Sequence, residues 1–332
     1  MTTTLPPTFP YFEGKTILYV HGFASSGQTG TARSLATMLP KARILAPDLP
    51  TEPLEVMPLL RSLVEQEQPA LIIGTSMGGF FAEQLYGTPR ILVNPAFEIA
   101  ETIRTSPSMG LGRHEFLNPR RDGQKDFLVT KRTIEDFRQA SLHSFEQAPA
   151  DGEIVFGLFG RHDPVVHTQP IFARHYRHAI WFEGEHRLND SVLIHAIMPI
   201  VRRLSDRLEG RQRPIVYADL DTTLRKPNGQ PVSEAAFAFE TLAQGYDMYV
   251  VVPESWHTAP TWAETQLWVE QHLGTAAYDR LVISSHKQLL LGDYFIDASP
   301  CPDSLCTTLK FGEDPFKTWR DVLTYFERLG GQ

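Results

Sequence analysis

"LIIGTSMGGFFAEQL", residues 71–85, sets an apolar run, a serine between two glycines and a helix-patterned run in direct succession. The G-x-S-x-G pattern alone arises by chance in about one chain in ten of this length. Its placement carries more weight. A nucleophile elbow needs a strand, a turn too sharp for side chains beside the serine, and a helix that begins at the site. "ALII", "GTSMG" and "GFFAEQLY" supply those parts in that order. Ser76 is therefore the candidate nucleophile, and the helix N-terminus after it would favour negative charge developing nearby.

Working outward, short apolar runs alternate with helix-patterned segments: "TILYV" (16–20), "RILAP" (43–47), "ALIIG" (70–74), "RILVNP" (90–95), "EIVFGLFG" (153–160) and "AIWFEG" (179–184). This alternation predicts an α/β fold, a parallel sheet with helices on both faces. "SVLIHAIMPIVRRLSDRL" (191–208) reads as an amphipathic helix closing that pattern. The polar "EGRQRP" (209–214) follows, and "PIVYADL" (214–220) starts a second alternation with "MYVVV" (248–252), "RLVIS" (280–284) and "YFIDA" (294–298), in which "TWAETQLWVEQHLG" is helical. Two α/β domains are expected, 1–208 and 209–332, with the boundary near residue 211, as 332 residues allow. The stretch 97–150 has weaker periodicity and the basic cluster "NPRRDGQK". It reads as a solvated surface excursion or, functionally, a lid.

Composition narrows the function classes. Hydrophobic residues are 42% and charged residues 21%, ordinary for a soluble globular protein. A net charge of -8 gives no general attraction to nucleic acid or to an anionic membrane, so a small-molecule substrate is expected. No apolar run approaches the ~18 residues of a membrane span, and the first residues lack a secretory pattern. A cytoplasmic location is expected, with Cys301 and Cys306 as reduced thiols rather than a disulfide or zinc framework. Oligomeric state is not legible.

A serine hydroxyl needs a base to take its proton, and the base needs a third group to fix its tautomer. In an elbow fold the chain order is Ser, then Asp or Glu, then His. Asp163 follows a strand in "GRHDPVV" and His186 follows a later strand in "GEHRL". Their places at strand ends favour them over His162, His167, His175, His178 and His195. "LYVHGFASS" adds an oxyanion loop, with the Phe23 backbone N–H joining that of Met77. His21 in that loop reads as structural. These landmarks, with "APDLP", "GTSMGGFFAEQLYG" and "LVNPA", resemble the α/β-hydrolase superfamily, and more narrowly the small YqiA/YcfP-like esterases, over residues 15–205. The resemblance implies a serine hydrolase for esters or thioesters of small acyl groups, needing no cofactor.

"VYADLDTTL" (216–224) ends a strand with Asp219 and Asp221. Two residues apart on an extended segment, both carboxylates would point the same way, one to attack phosphorus and the other to handle the leaving-group proton. Clustered anions call for a cation, and Mg²⁺ fits. "SSHKQLLLGDYFIDASP" offers Lys287 as charge partner and Asp293 or Asp297 as a further ligand. These pieces resemble the haloacid dehalogenase-like phosphatases, in their 5′(3′)-deoxyribonucleotidase-like branch, over 214–330. The resemblance implies Asp219 as nucleophile, Asp221 as acid/base, Lys287 steadying charge, and Mg²⁺ held by Asp219, the Asp221 carbonyl and Asp297. It also implies a cap domain, for which about 24 residues between Leu224 and the next strand leave no room. Val252 stands where the branch has a hydroxyl, with Ser255 three residues later, and Ala298 replaces a second acidic residue. The leading expectation is a serine hydrolase joined to a weakly active or inactive phosphatase-like domain. A bifunctional esterase/phosphatase and a phospho-ligand-sensing regulatory protein stay open.

Overall fold

The structure, a computed structural model, describes residues 6–106, 108–253 and 262–330. The chain divides into two compact units, Met1–Ser205 and Asp206–Gln332. The division falls inside the helix Met198–Glu209, three residues before the end of the expected first domain.

In the first unit the strands are β1 (Thr16–Val20), β2 (Arg43–Leu45), β3 (Leu71–Thr75), β4 (Arg90–Val93), β5 (Gly112–Glu115), β6 (Asp126–Val129), β7 (Val155–Gly160) and β8 (His178–Phe182). Six of them form an all-parallel sheet in the order β2-β1-β3-β4-β7-β8. Its central strands are apolar on both faces because helices cover both, the condition under which parallel sheets occur. The chain runs outward from β1 to β2, then returns to place β3 on the other side of β1. That reversal opens a crevice at the carboxyl ends of β1 and β3, where ligands bind in open α/β sheets.

The stretch 97–150 is not a solvated excursion. It folds into helices Ile99–Thr105 and Lys131–Ser141 and the antiparallel β5–β6 hairpin, and contributes Ile103, Phe127, Ile134 and Phe137 to the hydrophobic core. Its irregular sequence reflects short helices on either side of a hairpin, with a third helix, Ala148–Asp151, starting at its end, so that neither period runs for long.

In the second unit β9 (Ile215–Asp219), β10 (Asp247–Val252), β11 (Leu281–Ile283), β12 (Tyr294–Asp297) and β13 (Thr307–Lys310) form a parallel sheet in the order β11-β10-β9-β12-β13. β13 was not evident from the sequence because only Leu309 of its residues is buried. The same reversal recurs here, between β9 and β12. Asp219 and Asp297 are the last residues of those two strands. Between Thr222 and the helix Ala235–Gly245 the chain makes only tight turns, with bridges of Arg225 to Asp221 and Pro231, so this unit has no cap there. Among the described residues no helix is long and apolar enough to cross a membrane.

Candidate active site

Ser76 sits between β3 and the helix Met77–Glu83 at φ 55° and ψ -120°, a strained conformation for a residue with a side chain. The glycines around it are required by contact. A Cβ on Gly78 would lie 2.0 Å from the Val20 carbonyl oxygen, and one on Gly74 would lie 2.5 Å from that of Gly78. The elbow helix is thereby pressed onto the end of β1. Gly22 abuts the serine, since a Cβ there would stand 3.3 Å from Ser76 Cβ and 3.8 Å from its Oγ. The loop carrying Phe23 therefore runs beside the hydroxyl, and a cleft opens against Gly22, Phe23, Met77 and Phe127.

His186 brings the expected residues together. Its Nε2 is 3.1 Å from Ser76 Oγ and its Nδ1 is 2.8 Å from Asp163 Oδ2. A carboxylate only accepts, so Nδ1 carries the proton and Nε2 accepts from the serine hydroxyl. Asp163 is buried, and its other oxygen accepts from the Val165 and Val166 N–H groups at 2.7 and 3.0 Å. Burial alone would raise its pKa, but these bonds and His186 outweigh burial and hold it below the ordinary value. Three of the competing histidines are engaged elsewhere: His162 bonds Glu183, His175 stacks on Phe145 and His178 on Phe156.

Asn94 escaped the sequence reading. Buried just past β4 at φ 45°, it donates from Nδ2 to the carbonyls of Glu185 and His186 at 3.1 and 3.4 Å, while its Oδ1 accepts from the Gly160 N–H at 2.8 Å. One amide thus ties the histidine loop to the end of the strand before Asp163. Its signal was an asparagine directly after a strand in "LVNPA", a residue type that tolerates positive φ. His21 is structural in the way its sequence context suggests. Its Nδ1 donates to the Gly22 carbonyl at 2.9 Å and its Nε2 accepts from the Leu49 N–H at 3.1 Å, which requires the neutral ring. Burial drives its pKa down to about 4.

In the second unit Lys287 Nζ lies 2.7 Å from both Asp219 Oδ1 and Asp297 Oδ2. Burial, reinforced by Asp297 and Asp221 and opposed by Lys287, pushes Asp219 up to about 6. Lys287 stays charged because its two carboxylates outweigh its own burial. Thr223 Oγ1 accepts from the Ala298 N–H at 3.0 Å, joining the two halves of the site. Two expectations need correction. β9 stops at Asp219, so Asp221 lies in the following turn and strand alternation does not align the pair; Asp221 is half-exposed and bonded to Arg225 at 2.7 Å. Asp293 accepts from the Ile215 N–H at 2.8 Å, at the start of β9 and the far end of the sheet, and is no ligand there. Val252 is the buried last residue of β10, and Ser255 lies outside the described residues.

Among the described residues no three His, Cys, Asp or Glu side chains converge as a metal cage. Mg²⁺, however, is usually held by one or two carboxylates with waters and substrate phosphate. Lys287 approaches Asp219 Oδ1 without the direction of a hydrogen bond, so that buried oxygen keeps lone pairs to offer. Asp219 and Asp297, with the Asp221 carbonyl, are hard oxygen donors that suit such an ion.

Residues 16–201, carrying the Ser76–His186–Asp163 chain, match the uncharacterised protein family UPF0227. The chain belongs to that family. This UPF0227 member is also similar to a protein of Vibrio phage KVP40 provisionally named a 5′(3′)-deoxyribonucleotidase, 29% identical over 163 residues, covering 40% of this chain and 95% of that protein. A Bordetella pertussis protein of the same provisional name is 41% identical over 71 residues, 21% of this chain and 38% of that one. Among solved structures, that of the metagenome-derived lipolytic enzymes LipS and LipT is 15% identical, with a TM-score of 0.40, covering 63% of this chain and 98% of the other. Each unit of the chain is an α/β fold built on a parallel sheet.

Proposed function

We propose that the first unit is a serine hydrolase for carboxylic esters or thioesters of small acyl groups. One observation carries this reading: the continuous hydrogen-bond chain Ser76–His186–Asp163 on a strained elbow beside Gly22. As Ser76 Oγ bonds to the acyl carbon, its proton passes to His186 Nε2, and Asp163 holds the resulting imidazolium. The N–H groups of Phe23 and Met77 stabilise the oxyanion. His186 then protonates the departing alkoxide or thiolate, and water repeats the sequence to release the acid. Substitution of Ser76 by alanine is expected to abolish hydrolysis of short p-nitrophenyl esters while leaving circular dichroism unchanged. Activity within a few-fold of wild type would sink the assignment.

A second reading is favoured by Lys287 poised between Asp219 and Asp297. The second unit is proposed to be a slow, Mg²⁺-dependent phosphatase, a reading supported by the relatives named as deoxyribonucleotidases. Asp219 attacks phosphorus as the P–O bond to the leaving alcohol breaks, Asp221 gives that alkoxide a proton and then takes one from the water that releases phosphate from Asp219, and Lys287 offsets phosphoryl charge. Mg²⁺, held by Asp219, the Asp221 carbonyl and Asp297, would supply charge neutralisation. Slowness follows from Arg225 engaging Asp221, from the apolar end of β10 at Val252, and from the tight turns that stand in place of a cap between Thr222 and Ala235, which leave water in the site. Phosphate release from p-nitrophenyl phosphate should need Mg²⁺, stop with EDTA, and vanish in Asp219→Asn. Equal rates in every condition would exclude it and leave phospho-ligand sensing as the better account.

A further inference from the structure

The loop that bears the Phe23 N–H has no regular partner of its own. Residues 21–29, between β1 and the next helix, are neither strand nor helix, and Ala24 is held at φ 55° without being glycine. A donor aimed at an oxyanion helps only if it is fixed before the charge develops. Something outside the loop must hold it.

Asp48, in the "APDLP" stretch after β2, grips it. Its Oδ1 accepts from the Gly27 N–H at 2.7 Å and its Oδ2 from the Arg121 N–H at 2.7 Å. Both bonds are short and charge-assisted, and the carboxylate is nearly buried, with the Arg121 guanidinium standing back at 3.9 Å. The segment on the far side, 117–121, then bonds the loop directly. The Leu117 N–H donates to the Ala24 carbonyl at 2.8 Å, the Ser26 hydroxyl to the Pro119 carbonyl at 2.7 Å, and Asn118 Nδ2 to Ser25 Oγ at 3.1 Å. Gly27 is pressed so closely that a Cβ would meet the Ala46 carbonyl oxygen at 2.1 Å.

We infer that Asp48 is a positioning residue for the oxyanion hole, clamping the Phe23 loop between the β2 exit and residues 117–121, so that the expected lid is instead a fixed jaw of the site. The inference rests on the serine-hydrolase reading above. A carboxylate is required because two N–H groups converge on it from two segments. Asparagine offers one accepting oxygen and turns an NH₂ group toward the other donor.

The test compares wild type, Asp48→Asn and Ser26→Ala, with the fraction of reactive Ser76 titrated by a fluorophosphonate. For Asp48→Asn, kcat on p-nitrophenyl butyrate per titrated site should fall between about tenfold and a hundredfold, with KM within about threefold. Phenylboronic acid, which mimics the tetrahedral adduct, should bind more weakly by the same factor, while inhibition by butyrate stays unchanged. Ser26→Ala should move kcat and boronate binding together in the same direction, and it carries the test if Asp48→Asn does not fold. Unchanged kcat per titrated site, or a fall in kcat with boronate affinity retained, would overturn the clamp. A wild type that neither cleaves the ester nor is labelled at Ser76 would overturn the hydrolase reading, and the clamp with it.

Discussion

Ser76 occupies a backbone conformation that costs a non-glycine residue about 1–3 kcal/mol, and the contacts around it must hold that strain. His186 receives its position from Asp163 on one side and from Asn94, through its own backbone, on the other. Replacing His186 by alanine should lower esterase turnover at least ~10³-fold, the scale of losing a triad member. His162→Ala should change it little, since that ring is exposed on Glu183; a larger loss there than at His186 would identify a different base. His21 adds a pH effect of known sign. Its folded pKa, about 4, lies below the ordinary 6.5, so its contribution to stability is present above pH 6.5 and is lost as pH falls through 4. Protonation must break the Leu49 N–H bond to Nε2. The two limits differ by about 3 kcal/mol. Urea midpoints should therefore fall more in wild type than in His21→Asn between pH 7.5 and pH 4; parallel falls would show that His21 is not the sensitive group.

At the scale of elements, the elbow works because the helix Met77–Glu83 lies against the carboxyl end of β1, and glycine is the sole residue that permits the approach. The helix's far end is tied down through the buried Glu83, which accepts from Tyr176 Oη at 2.7 Å and the Phe145 N–H at 3.0 Å. Gly78→Ala should destabilise the first unit by about 3 kcal/mol or more, since its Cβ would meet backbone rather than a movable side chain. Gly30→Ala is the contrast. That glycine starts the helix Gly30–Met38 with nothing within 4 Å of a new Cβ, and alanine there should stabilise by roughly 0.4–1 kcal/mol. Calorimetry of the two variants checks both signs; equal effects would mean that steric contact at the elbow is not the controlling factor.

For the molecule as a whole, each unit has its own parallel sheet and its own chain reversal, and each candidate site sits at that reversal. The helix Met198–Glu209 ends at Gly210, whose φ of 64° and N–H bond to the Arg207 carbonyl close it, with the Arg211 N–H reaching the Asp206 carbonyl at 2.8 Å. A fragment of residues 1–210 is expected to fold and keep esterase activity, because it retains the whole first sheet and its closing helix. Insoluble products from both halves would instead indicate that neither core stands alone.

The alternation of apolar runs and helical stretches determined the α/β class, and the chain order of Ser76, Asp163 and His186 was legible because each follows a strand. Asp219 and Asp297 were readable for the same reason, as residues ending apolar runs. Local pattern could not reveal that Asp221 turns to Arg225 or that Asp293 caps the wrong end of the sheet, since both depend on where β9 stops and which strand lies beside it. Nor could it show Asn94 and Asp48 at work. Their partners lie 66 to 92 and 21 to 73 residues away, and such contacts exist only once the sheet order has brought distant loops to one edge.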